Sequence, residues 1–322
     1  MENILISVVI PTYNRADLLR SALQSVAASR DVEADRVEVL VIDNNSVDDT
    51  RAVVDEIRAA PYPFPLRYVL ETRQGLSHAR NRGAAEAAGF YLVFMDDDQM
   101  IHERYLAHIE PAFTATGADC IGGPVRYYNA TGLPEWLPPL LEHVGQFDLG
   151  GETRALSEHD DVLRGGNMVI PKALLASLGG FDVRLGRVGT TLLSDEETEL
   201  QARMRRGGHR IVYVPALVQH HYLDPDRLSR HHWRRHRFDY GRTIFRRRLA
   251  DGDFTAGRTF LGVPRWLWLQ MLTRELRLYG TACLLRREDR FDRQLRLCEC
   301  LGQMYQAREN IRTLERTTAR AE

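Results

Sequence analysis

Lysine is nearly absent. Lys172 is the single Lys beside 42 Arg in the 322 residues, a bias read as gene composition and not as chemistry. Cysteine is sparse too. Cys120, Cys283, Cys298 and Cys300 have no zinc-like spacing, and the lone Cys298-x-Cys300 pair is a weak signal. All four are expected to be reduced thiols in a cytosolic protein. There is no run of about 20 uncharged apolar residues, so no spanning helix is expected. The start lacks a basic segment followed by an apolar one, so no secretory signal is expected. No Gly-x-Gly-x-x-Gly follows the first apolar run, which argues against a dinucleotide-dependent dehydrogenase. No glycine-rich, basic triphosphate loop lies near Pro11, which argues against a nucleotidyltransferase.

What is present begins with a core. Hydrophobic residues make up 44% of the chain, and its length suffices for one large domain and an appendage. The most informative segment is Asp96-Asp97-Asp98. It directly follows Phe90 to Met95, a short, bulky apolar run that reads as a buried strand. Three adjacent carboxylates repel one another and sit badly at the end of an apolar strand unless something positive binds there. Mg²⁺ or Mn²⁺ are the fitting counter-ions, and they usually arrive with phosphates. The plainer alternative is an exposed acidic turn. Position favours a site, because ligands of open parallel sheets bind at the carboxyl ends of the strands.

The residues upstream supply such a sheet. Ile4 to Ile10 reads as a strand closed by Pro11-Thr12-Tyr13-Asn14-Arg15, and a helical pattern with Leu19, Leu23 and Val26 on one face follows. Val37 to Ile42 is a second strand running into Asp43-Asn44-Asn45-Ser46, and Leu66 to Leu70 a third. Gly75 to Ala88 reads as a helix carrying Arg80 and Asn81, and the fourth strand delivers the Asp triplet. This alternation predicts βαβ units and a parallel sheet, hence an α/β fold. Tyr13, Asp43 and Asp96–Asp98 are then expected around one crevice.

Ser7 to Arg15, Val41 to Ser46, Ala79 to Gly83 and Phe94 to Asp98, in this order and spacing, resemble the family-2 glycosyltransferases of GT-A fold. Gly165-Gly166-Asn167-Met168, Gly179-Gly180-Phe181-Asp182, Asp195 to Leu200 and Val214 to His220 extend the likeness to residue 225. The resemblance implies a GT-A-type, Rossmann-like nucleotide-diphospho-sugar transferase fold with a C-terminal helical extension. The catalytic domain would span 1–225, with a nucleotide-binding half (1–100) and an acceptor half (101–225), and a basic helical extension would span 226–322. The implied reaction is a metal-dependent, inverting transfer of a sugar from a nucleotide diphosphate to an acceptor hydroxyl. A glycan, a lipid-linked or a small-molecule acceptor is implied, and no nucleic acid. A nucleotidyltransferase acting on sugar phosphates and a non-catalytic, membrane-associated scaffold of the same fold are the alternatives. The intact Asp triplet and acidic helix argue against the scaffold.

By the same resemblance, donor contacts are expected from Pro11, Tyr13, Arg15, Asp43, Arg80, Asp96, Asp97, Gly166 and Asn167. Tyr13 would pack on the base, and Asp43 would accept its ring N–H. Arg80 would neutralise the diphosphate or orient Asp43, the plainer reading being a surface helix Arg. Asp98 is expected to ligate Mg²⁺ or Mn²⁺, with Asp96 and His220 as further ligands. The catalytic base is expected at Glu197, where the family usually has Asp. That departure keeps Glu196 and Asp195 open as alternatives. Gly165-Gly166-Asn167 is expected to form a tight loop near donor sugar and acceptor, since Gly permits close backbone approach. Trp136 is assigned to an acceptor loop.

The formal charge of −1 conceals a division: residues 1–226 carry −12 and residues 227–322 carry +11. Arg227 to Arg248 holds nine Arg, interleaved with His231, His232, His236, Trp233, Phe238, Tyr240 and Phe245. A solvated helix face, a nucleic-acid patch and recognition of phosphate or anionic lipid compete for this segment. Its position just after the site motifs favours phosphate. Trp266 and Trp268 then lead a stretch in which Leu269, Leu272, Leu276, Leu278, Leu284 and Leu285 are mixed with Arg274, Arg277, Arg286 and Arg287. One reading is a basic amphipathic helix lying on an anionic membrane, which would make a cytoplasmic protein peripheral to the inner face. The other is a helical hairpin packed on the catalytic domain, at a homodimer interface. Arg290 to Arg316 reads as a polar surface or oligomer helix.

Overall fold

The computed structural model describes residues 4–129, 133–141, 146–157, 162–250 and 258–318. The chain divides into two compact units. One spans 1–183 and 196–224, the other 184–195 and 225–322.

The first unit opens with β1 (Ile6–Thr12), α1 (Ala16–Ala27), β2 (Val37–Asp43), α2 (Thr50–Ala59), β3 (Leu66–Leu70), α3 (Leu76–Glu86) and β4 (Tyr91–Phe94). β1 pairs in parallel with β2 on one side and β4 on the other, and β2 pairs in parallel with β3. The strands are near-continuous Val, Ile and Leu because both faces of the sheet are covered. Val8, Ile10, Val39 and Val41 enter one hydrophobic cluster with Leu19, Leu23 and Val26 of α1. Val9, Leu40 and Ile42 enter another, as the two-residue period of a strand requires. α3 lies hard against β1 and β2: a Cβ at Gly83 would meet the Val9 side chain at 2.3 Å. That approach carries Arg80, on the buried face of α3, inward.

The unit continues with β5 (Gln99–Ile101), α4 (Ile109–Thr116), β6 (Cys120–Gly122), β7 (Val125–Tyr127), α5 (Pro138–Leu141), β8 (Arg154–Ala155), β9 (Met168–Pro171), α6 (Lys172–Ser177), α7 (Glu196–Arg206), β10 (Ile211–Tyr213) and β11 (Gln219–His221). The main sheet runs β3-β2-β1-β4-β9-β6-β10-β8, and β5-β11-β7 form a second sheet. The strand order reverses beside β1, which opens a crevice at the carboxyl ends of β1, β2 and β4. β10 stops at Tyr213, the chain turns at Pro215 and Ala216, and β11 joins the other sheet. Pro215 has no N–H with which to continue a ladder.

The second unit is mainly helical, with α8 (Arg230–Ala250), a hairpin of β12 (Thr259–Phe260) and β13 (Val263–Pro264), α9 (Arg265–Gln270), α10 (Leu276–Leu284) and α11 (Arg290–Thr318). A π turn, Met271–Glu275, joins α9 to α10. α8 and α11 run in the same direction, since Arg234 reaches Gln294 and Arg242 reaches Gln306. They meet backbone to backbone: a Cβ at Gly241 would meet the Glu299 carbonyl, and one at Gly302 the Phe238 carbonyl, each at 1.9 Å. Phe245, Leu267, Met304 and Ala307 share the core. The final helix is therefore no surface element. Leu295, Cys300, Met304 and Ala307 are buried, and its glycine contact with α8 has no apolar signature in the sequence. Among the described residues, no helix is long and apolar enough to cross a membrane.

Candidate active site

Thr12, the last residue of β1, lies in register with Asp43, the last residue of β2. The Asp triplet follows β4 beside them, and it is not an exposed turn: Asp97 and Asp98 are 5% and 8% exposed. Asp97 Oδ2 accepts the Thr12 hydroxyl at 2.8 Å. One guanidinium nitrogen of Arg15 donates to Asp97 Oδ1 at 3.3 Å and to Asp98 Oδ2 at 2.6 Å. Burial pushes the Asp97 carboxyl up to about 6, against the pull of Arg15. Burial opposes the charge of Arg15 as well, yet Asp97 and Asp98 raise its pKa above the ordinary value. The other oxygen of Asp98, Oδ1, faces His221 Nε2 at 3.2 Å. His221 Nδ1 is buried with no hydrogen-bond partner, and the ring stacks on Tyr127, centroids 5.2 Å apart.

His221, and not His220, thus meets the triplet. Successive residues of a strand point to opposite faces, so only one of the pair can reach Asp98. His220 lies on the other face, where burial, Arg126 and His102 lower its pKa.

Asp96 has a different partner. Its Oδ1 accepts from Arg80 Nη2 at 2.9 Å, and Arg80 Nη1 reaches Glu196 Oε1 at 2.7 Å. Arg80 is 1% exposed and its guanidinium carbon lies 5.4 Å from the Phe181 ring centroid. Burial works against its charge, but Asp96, Glu196 and Glu197 hold its pKa above the usual value. Arg80 is therefore a buried cation joining the triplet to α7. It is neither a surface residue nor an orienter of Asp43: it is 1% exposed and its two terminal nitrogens are held by Asp96 and Glu196. The same pair explains Gly165-Gly166. A Cβ at Gly165 would meet Arg80 Nη1 at 2.7 Å, and one at Gly166 would meet Asp96 Oδ2 at 2.4 Å. The glycines cap the ion pair. Asn81, next along α3, holds Phe181 through both its amide atoms, each at 2.8 Å, and so ties the Gly179–Asp182 segment to the same helix.

The other candidates are distributed as follows. Asp43 is a fixed carboxylate at a strand end: Oδ1 accepts the Ser46 N–H at 2.8 Å and Oδ2 the Tyr68 hydroxyl at 2.6 Å. Burial and Asp43 push Tyr68 up to about 12. Pro11 is buried within β1, and Tyr13 is half-buried just beyond it. Asn14 and Asn45, both left-handed at φ 53° and 69°, bracket a clasp in which Asn14 N–H meets Ser46 Oγ and Val47 N–H meets Asn14 Oδ1. Asn44 Oδ1 accepts the Gly75 N–H at 2.7 Å, tying the start of α3 to β2. The crevice rim is thereby pre-formed. Asn167 does not offer itself to a donor. Its Nδ2 is held by the carbonyls of Gly123, Pro124 and Leu217 and its Oδ1 by the Tyr105 hydroxyl, so its role is to fix the loop. Glu196 and Glu197 lie in the first turn of α7. Asp195 belongs to the other unit, where Arg247 pairs with it at 3.3 Å. Trp136 is half-buried, and residues 130–132 and 142–145 of its loop lie outside the described residues.

Thr12, Asn44 and His221 were not singled out from sequence. Strand alternation beside Asp98 was the available signal for His221. No signal marks Thr12 or Asn44, whose partners are distant in the chain. Among the described residues, no three His, Cys, Asp or Glu side chains converge to hold a metal unaided. Asp98 and His221 supply a carboxylate oxygen and an imidazole nitrogen; with phosphate oxygens completing the shell the pair fits Mn²⁺ better than Mg²⁺, which takes oxygen donors.

The sheet order and the carboxylates at its edge define a class, the glycosyltransferases of GT-A fold. Residues 7–175, more than half of the chain, match the model of glycosyl transferase family 2, and the chain belongs to that family. The succinoglycan biosynthesis protein ExoM of Rhizobium meliloti (strain 1021) is 28% identical over 251 residues, 75% of this chain and 74% of that one. Glycosyltransferase AglE of Haloferax volcanii is 32% identical over 127 residues, which spans 39% of this chain and 41% of that one. Among solved structures, the mannosyltransferase PcManGT of Pyrobaculum calidifontis, in complex with GDP-Man and Mn²⁺, superposes with a TM-score of 0.59 at 17% identity, over 94% of this chain and 86% of that chain. S. aureus TarS 1-349 with UDP-GlcNAc gives 0.57 at 16% identity, over 96% and 92%. At these identities the structural likeness concerns the fold.

Proposed function

We propose that the chain is a metal-dependent, inverting transferase that moves one sugar from a nucleotide diphosphate to an acceptor hydroxyl, with the first unit as its catalytic part. Tyr13 packs on the base and Asp43 accepts its ring N–H. Asp96, whose side chain is 32% exposed, faces the ribose. Asp98 and His221 hold Mn²⁺ or Mg²⁺, which when bound neutralises the diphosphate and stabilises it as a leaving group. Arg15 shifts from Asp97 and Asp98 toward the phosphates as that charge arrives. Glu197 is the base, removing the acceptor proton as the hydroxyl attacks the anomeric carbon. Arg80 pairs with Glu196 and Arg247 with Asp195, and Glu197→Gln beside Glu196→Gln and Asp195→Asn decides among the three carboxylates.

The observation that carries the reading is the Arg80 bridge. It ties the start of α7 to the Asp triplet, so donor carboxylates and base belong to one site. The acceptor is a growing glycan or a lipid-linked one. ExoM is named for succinoglycan biosynthesis, and a Campylobacter jejuni relative, 34% identical over 95 residues, is named for glucosyl transfer to an undecaprenol-diphosphate-linked glycan. To test the reading, UDP-, dTDP- and GDP-sugars are incubated with the protein and Mn²⁺, and free nucleoside diphosphate is measured. Slow hydrolysis of one donor class is expected. Release from none of them, alone or with glycan acceptors, would remove the reading.

A further inference from the structure

The rod formed by α9, the π turn and α10 presents an open apolar stripe. Trp266, Leu269, Leu272 and Leu276 recur at steps of three and four residues, which aligns them on one side of a helix. They are 40%, 63%, 54% and 46% exposed. Phe260 and Leu261 extend the exposed apolar surface before the rod, at 56% and 64%, and Leu284 and Leu285 after it, at 86% and 67%. The inner side is filled by Leu267 and Ala282, which are buried. Trp268 packs inward too, donating its indole N–H to the Phe260 carbonyl at 3.0 Å. Of the two Trp, Trp266 is the more exposed, with the Arg248 guanidinium carbon 5.3 Å from its ring centroid. Contiguous exposure of this kind marks a docking surface.

Charge selects the occupant. Arg258, Arg265, Arg274, Arg277, Arg286 and Arg287 are all exposed in this segment. Its acids are mostly withdrawn. Glu275 is buried beside Arg274, and Asp289 is held by Arg287 and Arg293, which leaves Glu288 as the exposed one. A second copy docking through the same stripe would set Arg against Arg. An anionic bilayer sets lipid phosphate against Arg and accepts the Leu and Trp side chains at its acyl boundary. We propose that this face docks the protein on an anionic lipid surface. The inference goes beyond the donor chemistry and does not depend on it, although a lipid-linked acceptor would be met at such a surface.

The test is sedimentation of the full chain with phosphatidylcholine vesicles and with vesicles that also contain phosphatidylglycerol, at low and high salt. Binding to the anionic vesicles alone is expected, and weakening with salt. Leu269→Ser/Leu272→Ser/Leu276→Ser should abolish it, and each of Arg274→Gln and Arg277→Gln should weaken it about fivefold. Melting curves establish that the variants are folded. Absence of binding at low salt overturns the proposal, as does a triple Leu variant that binds like the parent. A dimer that dissociates in that variant, with no vesicle binding, makes the occupant a second copy. Nucleoside diphosphate release, measured on the same preparations without vesicles, reports separately on the proposed reaction.

Discussion

Replacing Arg80 by Met removes a buried cation and leaves two carboxylates facing each other. Glu196 is 4% exposed, so water screens it little. Asp96, with 32% of its side chain exposed, is relieved in part by solvent. Removing one partner of a buried ion pair costs about 3–5 kcal/mol, and the solvated end at Asp96 places this case near about 3 kcal/mol. At about 2–4 °C per kcal/mol for a unit of this size, the melting temperature should fall by about 6–12 °C. Transfer should be lost as well, because the start of α7 is no longer tied to the triplet. Adding Glu196→Gln to Arg80→Met removes the stranded charge, so stability should recover by about 1–2 kcal/mol while transfer stays low. Calorimetric melting of the four proteins of this cycle, beside nucleoside diphosphate release, measures both. An Arg80→Met protein that melts within about 1 °C of the parent, or a cycle with no coupling, would refute the reasoning.

Glu197→Gln should leave donor binding intact and lower transfer by about 10²-fold or more. An active Glu197→Gln beside a dead Glu196→Gln or Asp195→Asn would move the base to the neighbour. A pH effect is expected from His236, whose pKa burial, together with Arg187, His232, Arg227 and Arg237, holds well below the ordinary imidazole range. Below about pH 6.5 the unfolded chain takes up a proton that folded His236 refuses, so this contribution is full above that pH and falls as the pH drops. Melting temperature should therefore decline more steeply on acidification in the parent than in His236→Leu; equal slopes would contradict this.

The first 100 residues were largely legible because their strands are contiguous apolar runs ended by polar residues, and the candidate site residues sit at those ends. Arg80 was not. Its helix buries Ser77, Ala79 and Gly83, residues too small to mark an inner face, and its partner Glu196 lies 116 positions away. Asn167 was expected at the donor from the resemblance, yet its amide is taken up by three buried carbonyls and a hydroxyl. His220 was expected beside the metal from the resemblance, whereas His221, on the opposite face of β11, is the one that meets Asp98. In the tail, α11 looked exposed because its contact with α8 is made by glycine and backbone, and Trp268 looked interfacial although it packs inward. The long-range partner, more than the local propensity, is what escaped the sequence in each of these cases.

The crevice at the ends of β1, β2 and β4 is proposed to bind a nucleoside diphosphate through a divalent cation on Asp98 and His221. Titration calorimetry with UDP, GDP and dTDP, with and without Mn²⁺, tests it most directly. The parent should bind one of the three in a Mn²⁺-dependent way. Asp98→Asn and His221→Ala should lose that dependence, and His220→Ala should keep it. An Asp98→Asn protein with unchanged Mn²⁺-dependent affinity would contradict the account.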